Sequence, residues 1–463
     1  MKYGVVDIGS SSIKLCVYDE QLNCVHRERV SVPLRRTAEG HVEQSATAIR
    51  EALLGFVKRL RGYGVKLAGI TTYRGSVLAW DKGGQPLTDV ITWLDVRGRA
   101  VTSRPLYRAL RLVPVLRKVI RPDSPAVRIK WLLESDPALR EEVSRGEAFV
   151  GTLSSYVAYV ASKRYLNDLS NEALTGLIHP KTTKRLEVVY TLLGIPESVG
   201  PEIVDNCGHI GSIEGVDVAA LIADQQSAII GSSCLRGDCL KITSGTGTFV
   251  DATVADFTIP GGELIPLVVY NIGGRRAYAI EGYTSAGGST VEWLCRVGLL
   301  DDVRGLDRAV TEAEHATVFV PSLIETRFPR RKGGTGLLYG LSLAHSRSDM
   351  VRGVLESLVL SAHSIVEAVE RVAGRRSVIR ADGGLSNSAC YLKLLSTACG
   401  RRVERVRGAD ASGRGVAMLL ALYDGTLSMR DLEERADVDL IAEPGELEVM
   451  VDANAWRRAV RWA

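Results

Sequence analysis

The stretch VVDIGSSSIKLCVYD (5–19) carries an apolar run through Asp7, breaks on Gly9 and the serines Ser10, Ser11 and Ser12, and returns as a second apolar run. Much later, CLKITSGTGTFVDATV (239–254) repeats the plan around GTGT (245–248). Each pattern predicts a β-hairpin whose bend is built from glycine and small hydroxyl residues. Such a bend lets successive backbone N–H groups converge on one point, a nest for an anion. Two hairpins of this kind, each opening a series of strands and helices, predict two similar α/β domains facing a central interdomain cleft. The boundary is expected near residue 232, giving an N-terminal domain over 1–232 and a C-terminal domain over 233–463.

Within the first domain, ATAIREALLGFVKRLRGYG (46–64) has helical apolar spacing, and LAGITTY (67–73) and SVLAWD (76–81) read as strands. VRIKWLLESDPALREEV (127–143) and SSYVAYVASKRYL (154–166) are each expected to be one helix. In the second domain SDMVRGVLESLVLSAHSIVEAVERV (348–372) is a long helix that leads to a strand at SVIRAD (377–382) and the turn GGLSNS.

The composition excludes several classes. Apolar residues make up 46% of the 463 and charged residues 24%, an ordinary globular balance. The net charge of +4 is dispersed, the nearest approach to a basic run being PRRK (329–332), so a nucleic-acid partner is not expected. No apolar run reaches the ~20 residues of a membrane helix, and no signal-peptide pattern opens the chain, so no membrane partner and a cytoplasmic location are expected. The eight cysteines form no C-x-x-C pair that would suggest zinc. Cys234 and Cys239 flank a turn-like LRGD and could pair, although buried thiols are the expectation for a cytosolic protein.

The loops invite phosphate chemistry. Asp7 sits beside the first nest, where a carboxylate would hold Mg²⁺ through water, and Ser10 and Lys14 would add donors. The 245–248 bend would do the same from the other domain, and DGG (382–384) lies at a strand's carboxyl end, where nucleotides sit in α/β folds. The glycine-rich stretches 286–288 and 383–384 suit close backbone approach to a nucleotide, or equally tight structural turns. Asp224 follows apolar VAALIA and precedes QQSAII. It would either take the proton of an attacking hydroxyl or simply cap a helix. Asp95 and Arg97 read as a structural ion pair beside Trp93, and Trp131 and Trp293, at helical spacing with leucines, as core residues.

Several segments in order resemble one family. DIGSSSIK, GITTYRGSVLAWDKGGQPLTDVITWLDVRG (69–98), VRIKWLLE with Arg128 in place of a lysine, NDLSNEALTGLI, ADQQSAIIG, SGTGTF, YAIEGYTSAGGSTVEWL, ADGGLSNSACYLKLL and GLLYGLSLAHSRSDMVRGVLE are similar to the motifs of the FGGY carbohydrate kinases. Within that family the chain is most similar to the glycerol kinases. The resemblance implies the actin/hexokinase/Hsp70 (ribonuclease H-like) fold. It also implies ATP- and Mg²⁺-dependent phosphorylation of a small polyol or sugar, glycerol first, with a pentulose or another polyol as the alternative and an inactive sugar sensor as the reading from another class. It implies Asp224 as base; Arg74, Trp93, Asp224, Gln225 and Phe249 as acceptor-binding residues; and Gly9, Ser10, Ser11, Ser12, Lys14, Gly245, Thr246, Gly288, Gly383, Gly384 and Ser388 as nucleotide-binding residues, with Asp7 at the metal. Ser388 falls where an asparagine often contacts the base. Gly75 stands where a substrate glutamate is expected, and Asp123 near the place of a substrate tyrosine. Relatives are commonly homodimers or homotetramers, and the sequence carries no interface signal of its own.

Overall fold

The computed structural model describes residues 1–323, 325–328, 330–331 and 334–462, so the basic run at 329–332 lies partly outside the described residues. Packing divides the chain into two compact units. The first is Met1–Ser227 with Leu267–Ala277 and Ser412–Leu432; the second is Ala228–Pro266 with Tyr278–Ala411 and Glu433–Ala463. A single cut at residue 232 divides the chain by sequence, whereas packing cuts at Ser227 and returns two later segments to the first unit.

The first unit opens with β1 (Tyr3–Ile8) and β2 (Ser12–Tyr18), paired antiparallel with Asp7 opposite Lys14. Next comes β3 (Cys24–Ser31). The helix α1 (Ala46–Gly62) turns Ile49, Leu53, Phe56 and Leu60 to the core at helical spacing, and Ser45 caps it by accepting from Ala48 N at 3.2 Å. β4 (Leu67–Thr72) then lies parallel to β1. β5 (Cys207–Ile213) and β6 (Val216–Ala223) complete a sheet of order β5-β6-β4-β1-β2-β3. Every residue of β1 and β4 is buried, as expected for strands covered on both faces.

The parallel strands β1, β4 and β6 end in register, Ile8 opposite Thr72 and Thr72 opposite Ala223. Three segments therefore leave the sheet along one edge: the Gly/Ser bend after β1, the Tyr73–Arg74 pair after β4, and Asp224 at the start of α2 (Asp224–Gly231) after β6. Carboxyl ends of parallel strands are where such sheets bind ligands.

Two helices expected whole are broken. The 127–143 segment is two helices, Pro125–Ser135 and Pro137–Ser144. Pro137 has no N–H to continue the first ladder, and Asp136 caps the new helix by accepting from Leu139 N at 3.0 Å. The 154–166 segment is helical only over Leu153–Ser162; Lys163 turns left-handed at φ 57°, and Leu166–Asp168 is a strand.

The second unit repeats the opening plan. β7 (Cys239–Ser244) and β8 (Thr248–Val254) form an antiparallel hairpin. β9 (Arg275–Thr284) flanks β8, and α3 (Arg347–Ala373), started by a Ser346–Asp349 capping box, covers the sheet. β10 (Val378–Asp382) lies parallel to β7, as β4 does to β1. The helix α4 (Ala389–Cys399) connects it to β11 (Val403–Val406), and within a seven-stranded sheet β12 (Val438–Ala442) ends the run β9-β8-β7-β10-β11-β12.

The expectation of free thiols at 234 and 239 is corrected: Cys234 and Cys239 form a disulfide. The intervening turn brings their Cα atoms to 5.5 Å, inside the range a disulfide can span. Among the described residues no helix is long and apolar enough to cross a membrane.

Candidate active site

In the first unit the Gly/Ser bend is shaped by its own backbone and by one buried glutamine. Gly9 N donates to Ser12 O at 3.0 Å. Gln44, wholly buried, donates from Nε2 to Ser10 O at 3.0 Å, Gly9 O at 3.3 Å and Val32 O at 2.6 Å. Its Oε1 accepts from Tyr73 OH at 2.8 Å. Gln44 thus ties the bend to the residue preceding Arg74, a role with no local signature in the sequence. Ser11 is exposed and Ser12 buried at the head of β2. Lys14 Nζ lies 3.2 Å from Asp7 Oδ2.

Asp224 takes up position directly after β6. Its Oδ1 accepts from Gln225 N at 2.8 Å and lies 3.5 Å from Arg74 Nε, while Gln225 Nε2 is 3.4 Å from Oδ2. The fold therefore brings Arg74, Asp224 and Gln225 together. Trp93 joins the Arg74 loop through Arg128, which is fully buried and donates to the carbonyls of Gly75, Trp93 (2.9 Å) and Asp95 (2.8 Å). Gly75 has φ +73°, a conformation that disfavours any side chain there. The Asp95–Arg97 pair is structural as expected, with contacts of 2.9 Å at both oxygens and a further link from Arg97 to Glu43. Burial opposes ionisation of Asp95, but the bonds from Arg97 and from Val42 N hold its carboxyl below its ordinary value. Trp131 is half-buried under the Arg97 guanidinium, 4.7 Å from the ring centre, rather than fully in the core. Trp293 is also only partly buried, stacked on Phe319. Asp123 pairs with Arg121.

Phe249 lies in the second unit. It stands on β8, stacked on Tyr283 at 5.3 Å. There the 245–248 bend, the 284–288 turn and the 382–384 turn pack backbone against backbone. Gly288 N donates to Gly245 O at 2.7 Å, and Ser289 Oγ to Thr246 O at 2.8 Å. Gly383 has φ +88°, and a Cβ there would lie 2.7 Å from Ser244 O. Gly384 opens a 3₁₀ turn with free space around it. Ser388 caps α4, accepting from Tyr391 N at 3.0 Å, and its hydroxyl donates to Asp307, whose other oxygen accepts from Ala389 N at 2.9 Å. Asp382 accepts from Thr243, and burial pushes its carboxyl up to about 6.

Beneath Asp224 lies a polar cluster to which sequence reasoning assigned no role. Asp168, Ser170 and Asn206 are wholly buried. Asp168 accepts from Ser154, Ser170, Asn206 and both the backbone and side chain of Asn171. Beside it Glu172 accepts from Asn167 Nδ2 at 2.6 Å, and burial raises its carboxyl to about 7. The signal available was the polar run NDLSNE between two apolar stretches.

A mixed sheet that presents a hydroxyl-lined bend, an arginine and a carboxylate along one edge, in a chain whose second unit is built on the same plan, defines a phosphotransferase of the sugar-kinase type. The N-terminal domain model of the FGGY family of carbohydrate kinases matches residues 2–232 and its C-terminal domain model residues 240–423. An uncharacterized sugar kinase of Archaeoglobus fulgidus is 30% identical over 444 residues, 89% of this chain and 89% of its own. A glycerol kinase of Coxiella burnetii is 27% identical over 485 aligned positions, 98% of this chain and 96% of its own. Among solved structures, Plasmodium falciparum glycerol kinase with ADP superposes at a TM-score of 0.84 (24% identity, 99% and 96% coverage). A ligand-bound xylulose kinase from Lactobacillus acidophilus does so equally, at 0.84 (18% identity, 99% and 96% coverage). The chain belongs to the FGGY family of carbohydrate kinases, has its two-domain actin/hexokinase-like fold, and is an ATP-dependent kinase.

Proposed function

We propose that this kinase transfers the terminal phosphoryl group of ATP to a hydroxyl of glycerol or a closely related small polyol in the cytoplasm, with Asp224 as general base. The observation that carries this reading is the common edge of β1, β4 and β6, which delivers the anion-binding bend, Arg74 and Asp224 side by side. Phosphoryl transfer asks little covalent chemistry of a protein; it needs positioning, charge neutralisation and an acceptor for the hydroxyl proton. Arg74 and Gln225 would orient the acceptor hydroxyls by directed N–H donors and Trp93 would pack its carbons, with Phe249 proposed as a further acceptor residue. Gly9, Ser10, Ser11, Ser12 and Lys14 are proposed to bind the nucleotide, as are Gly245, Thr246, Gly288, Gly383, Gly384 and Ser388. Asp7, a hard oxygen donor at the mouth of the bend, fits Mg²⁺ held through water, an ion that would offset phosphate charge.

A second reading is favoured by Gly75. A substrate carboxylate is absent there, and the +73° φ suits glycine, so one hydroxyl partner of a glycerol site is missing. A pentulose or longer polyol would use that room. The test is ADP release with glycerol, erythritol, xylulose and ribulose, in wild type and Asp224→Asn. The expected result is stimulation by one acceptor and at least a hundredfold loss of kcat in the variant. A variant that keeps more than a tenth of wild-type kcat removes Asp224 from the mechanism.

A further inference from the structure

β6 is paired with β4 up to Ala223, but on its other side the ladder to β5 stops at the Cys207–Ala220 pair. The last three residues before Asp224 therefore have no strand beside them on that side, and their buried backbone groups need other partners. Two residues, Asn206 and Ser170, take over. Asn206 brackets Leu221, its backbone carbonyl accepting from Leu221 N at 3.2 Å and its side-chain Nδ2 donating to Leu221 O at 2.8 Å. Ser170 Oγ then accepts from Ala223 N at 3.0 Å, and the Ser170 carbonyl accepts from Gln226 Nε2 at 3.0 Å. One residue thus grips the chain immediately before Asp224 and again two residues after it.

A serine hydroxyl does this only if its proton points elsewhere. Here the proton goes to Asp168 Oδ1, which also receives Asn206 Nδ2 at 3.0 Å and the backbone N–H of Asn171 at 3.1 Å. Asp168 fixes the rotor, the rotor presents a lone pair to Ala223 N–H, and the start of α2 is held against it.

We propose that Ser170 is a positioning residue for Asp224, oriented by Asp168 and seconded by Asn206; this rests on the reading of Asp224 as the base. Displacement of a reacting group by about an ångström costs on the order of a hundredfold in rate, and Ser170 is the side chain that fixes the strand end on its open side. A merely structural serine would be missed in stability alone. The positioning role predicts loss in kcat among molecules that remain folded.

The experiment compares wild type, Ser170→Ala, Ser170→Cys, Ser170→Thr and Asp224→Asn. It measures kcat, KM for ATP and thermal melting, with whichever of glycerol, erythritol, xylulose and ribulose releases the most ADP. Ser170→Ala is expected to lower kcat about 10–100-fold at a temperature where it is fully folded, with KM for ATP within about twofold. Ser170→Thr, which keeps the hydroxyl, is expected to recover most of that loss. Ser170→Cys keeps the volume but accepts poorly; it should lose at least about tenfold, and it supplies the answer if the alanine variant does not fold. Folded Ser170→Ala or Ser170→Cys with kcat within threefold of wild type, while Asp224→Asn is inactive, overturns the positioning role and leaves the base reading standing. An active Asp224→Asn overturns both.

Discussion

The two units repeat one strand plan and hold their bends by different balances of side chain and backbone. In the first, the edge that carries Asp7, Arg74 and Asp224 is fixed by side chains: Gln44 clamps the carbonyls of the Gly/Ser bend, and Asp168, Ser170 and Asn206 clamp the end of β6. In the second, the turns at 245–248, 284–288 and 382–384 pack largely backbone on backbone, with glycine where a side chain would collide and one added bond from Ser289 Oγ to Thr246 O. On the proposed reading, the difference follows the kind of group each set of residues would meet. A carboxylate and a guanidinium act in one direction and must be aimed, which takes fixed donors and acceptors around them. A polyphosphate is bound by N–H groups that need only be uncovered and close, which is achieved by leaving side chains out.

The comparison breaks first at Gly383. Its φ of +88° and ψ of +169° lie in a region essentially reserved for glycine, and a Cβ would meet Ser244 O at 2.7 Å. Strain of about 1–3 kcal/mol and a similar overpacking cost make Gly383→Ala destabilising by about 2–6 kcal/mol. Calorimetry should show the melting transition of the second unit falling by roughly 5 °C or more, with ATP binding weakened. A shift below 2 °C would mean that the turns do not depend on bare backbone.

The corresponding break in the first unit is Asp168→Ala. It strands the Ser154 and Ser170 hydroxyls, the Asn171 and Asn206 amides and one backbone N–H inside the protein. Each unsatisfied donor costs about 1–3 kcal/mol before relaxation. A net loss of about 2–4 kcal/mol is expected in chemical denaturation, accompanied by a kcat loss resembling that of Ser170→Ala. Unchanged stability would show the cluster to be replaceable by packing.

Much of this was legible in the sequence, for local reasons. A Gly/Ser break between two β-prone runs is a contiguous signal, and both hairpins formed where it occurred, at residues 3–18 and 239–254. The long helix at 347–373 and the Asp95–Arg97 pair were equally local. Pro137 was a local signal passed over. The rest was dispersed. Nothing near Gln44 announces that it will reach Gly9, Ser10 and Val32 at once, and Asn206 acquires its role only because β5 ends early. The return of Ser412–Leu432 to the first unit is a property of packing, which a single cut along the chain does not describe. The Cys234–Cys239 bond was weighed on compartment, while its formation depends on the geometry of the turn.

Glu172 sharpens the comparison through pH. Burial raises its carboxyl to about 7 in the folded protein, against about 4.3 in an unfolded chain. Between those values the folded state keeps a proton that the unfolded state has released, so stability is full below about pH 4.3 and falls as pH rises through 7. At about 1.4 kcal/mol per pH unit the loss is at most about 3–4 kcal/mol, and relaxation of the site will reduce it to about 1–3. Glu172→Gln stays neutral and keeps the shape, so its melting temperature should gain on wild type progressively from pH 5 to pH 8. Asp382, raised to about 6, acts in the same direction in the second unit, and Asp382→Asn should show the same trend ending nearer pH 6. Parallel melting curves for wild type and Glu172→Gln would show that the carboxyl is ionised when folded.

The smallest effect expected is at Ser388, where the two ways of holding a site meet. Its hydroxyl accepts from Tyr391 N as the cap of α4 and donates to Asp307. Loss of such a cap costs about 0.5–2 kcal/mol, and Asp307 retains the Ala389 N–H at 2.9 Å. Ser388→Ala should therefore lower stability by about 1 kcal/mol and leave KM for ATP within about threefold, because the hydroxyl is already committed on both sides and Ser388 is proposed to meet the nucleotide through its backbone. A tenfold rise in KM with unchanged melting would instead put that hydroxyl on the nucleotide base. The second unit would then aim side chains at its ligand as the first does, and the division between aimed side chains and bare backbone would fail at this position.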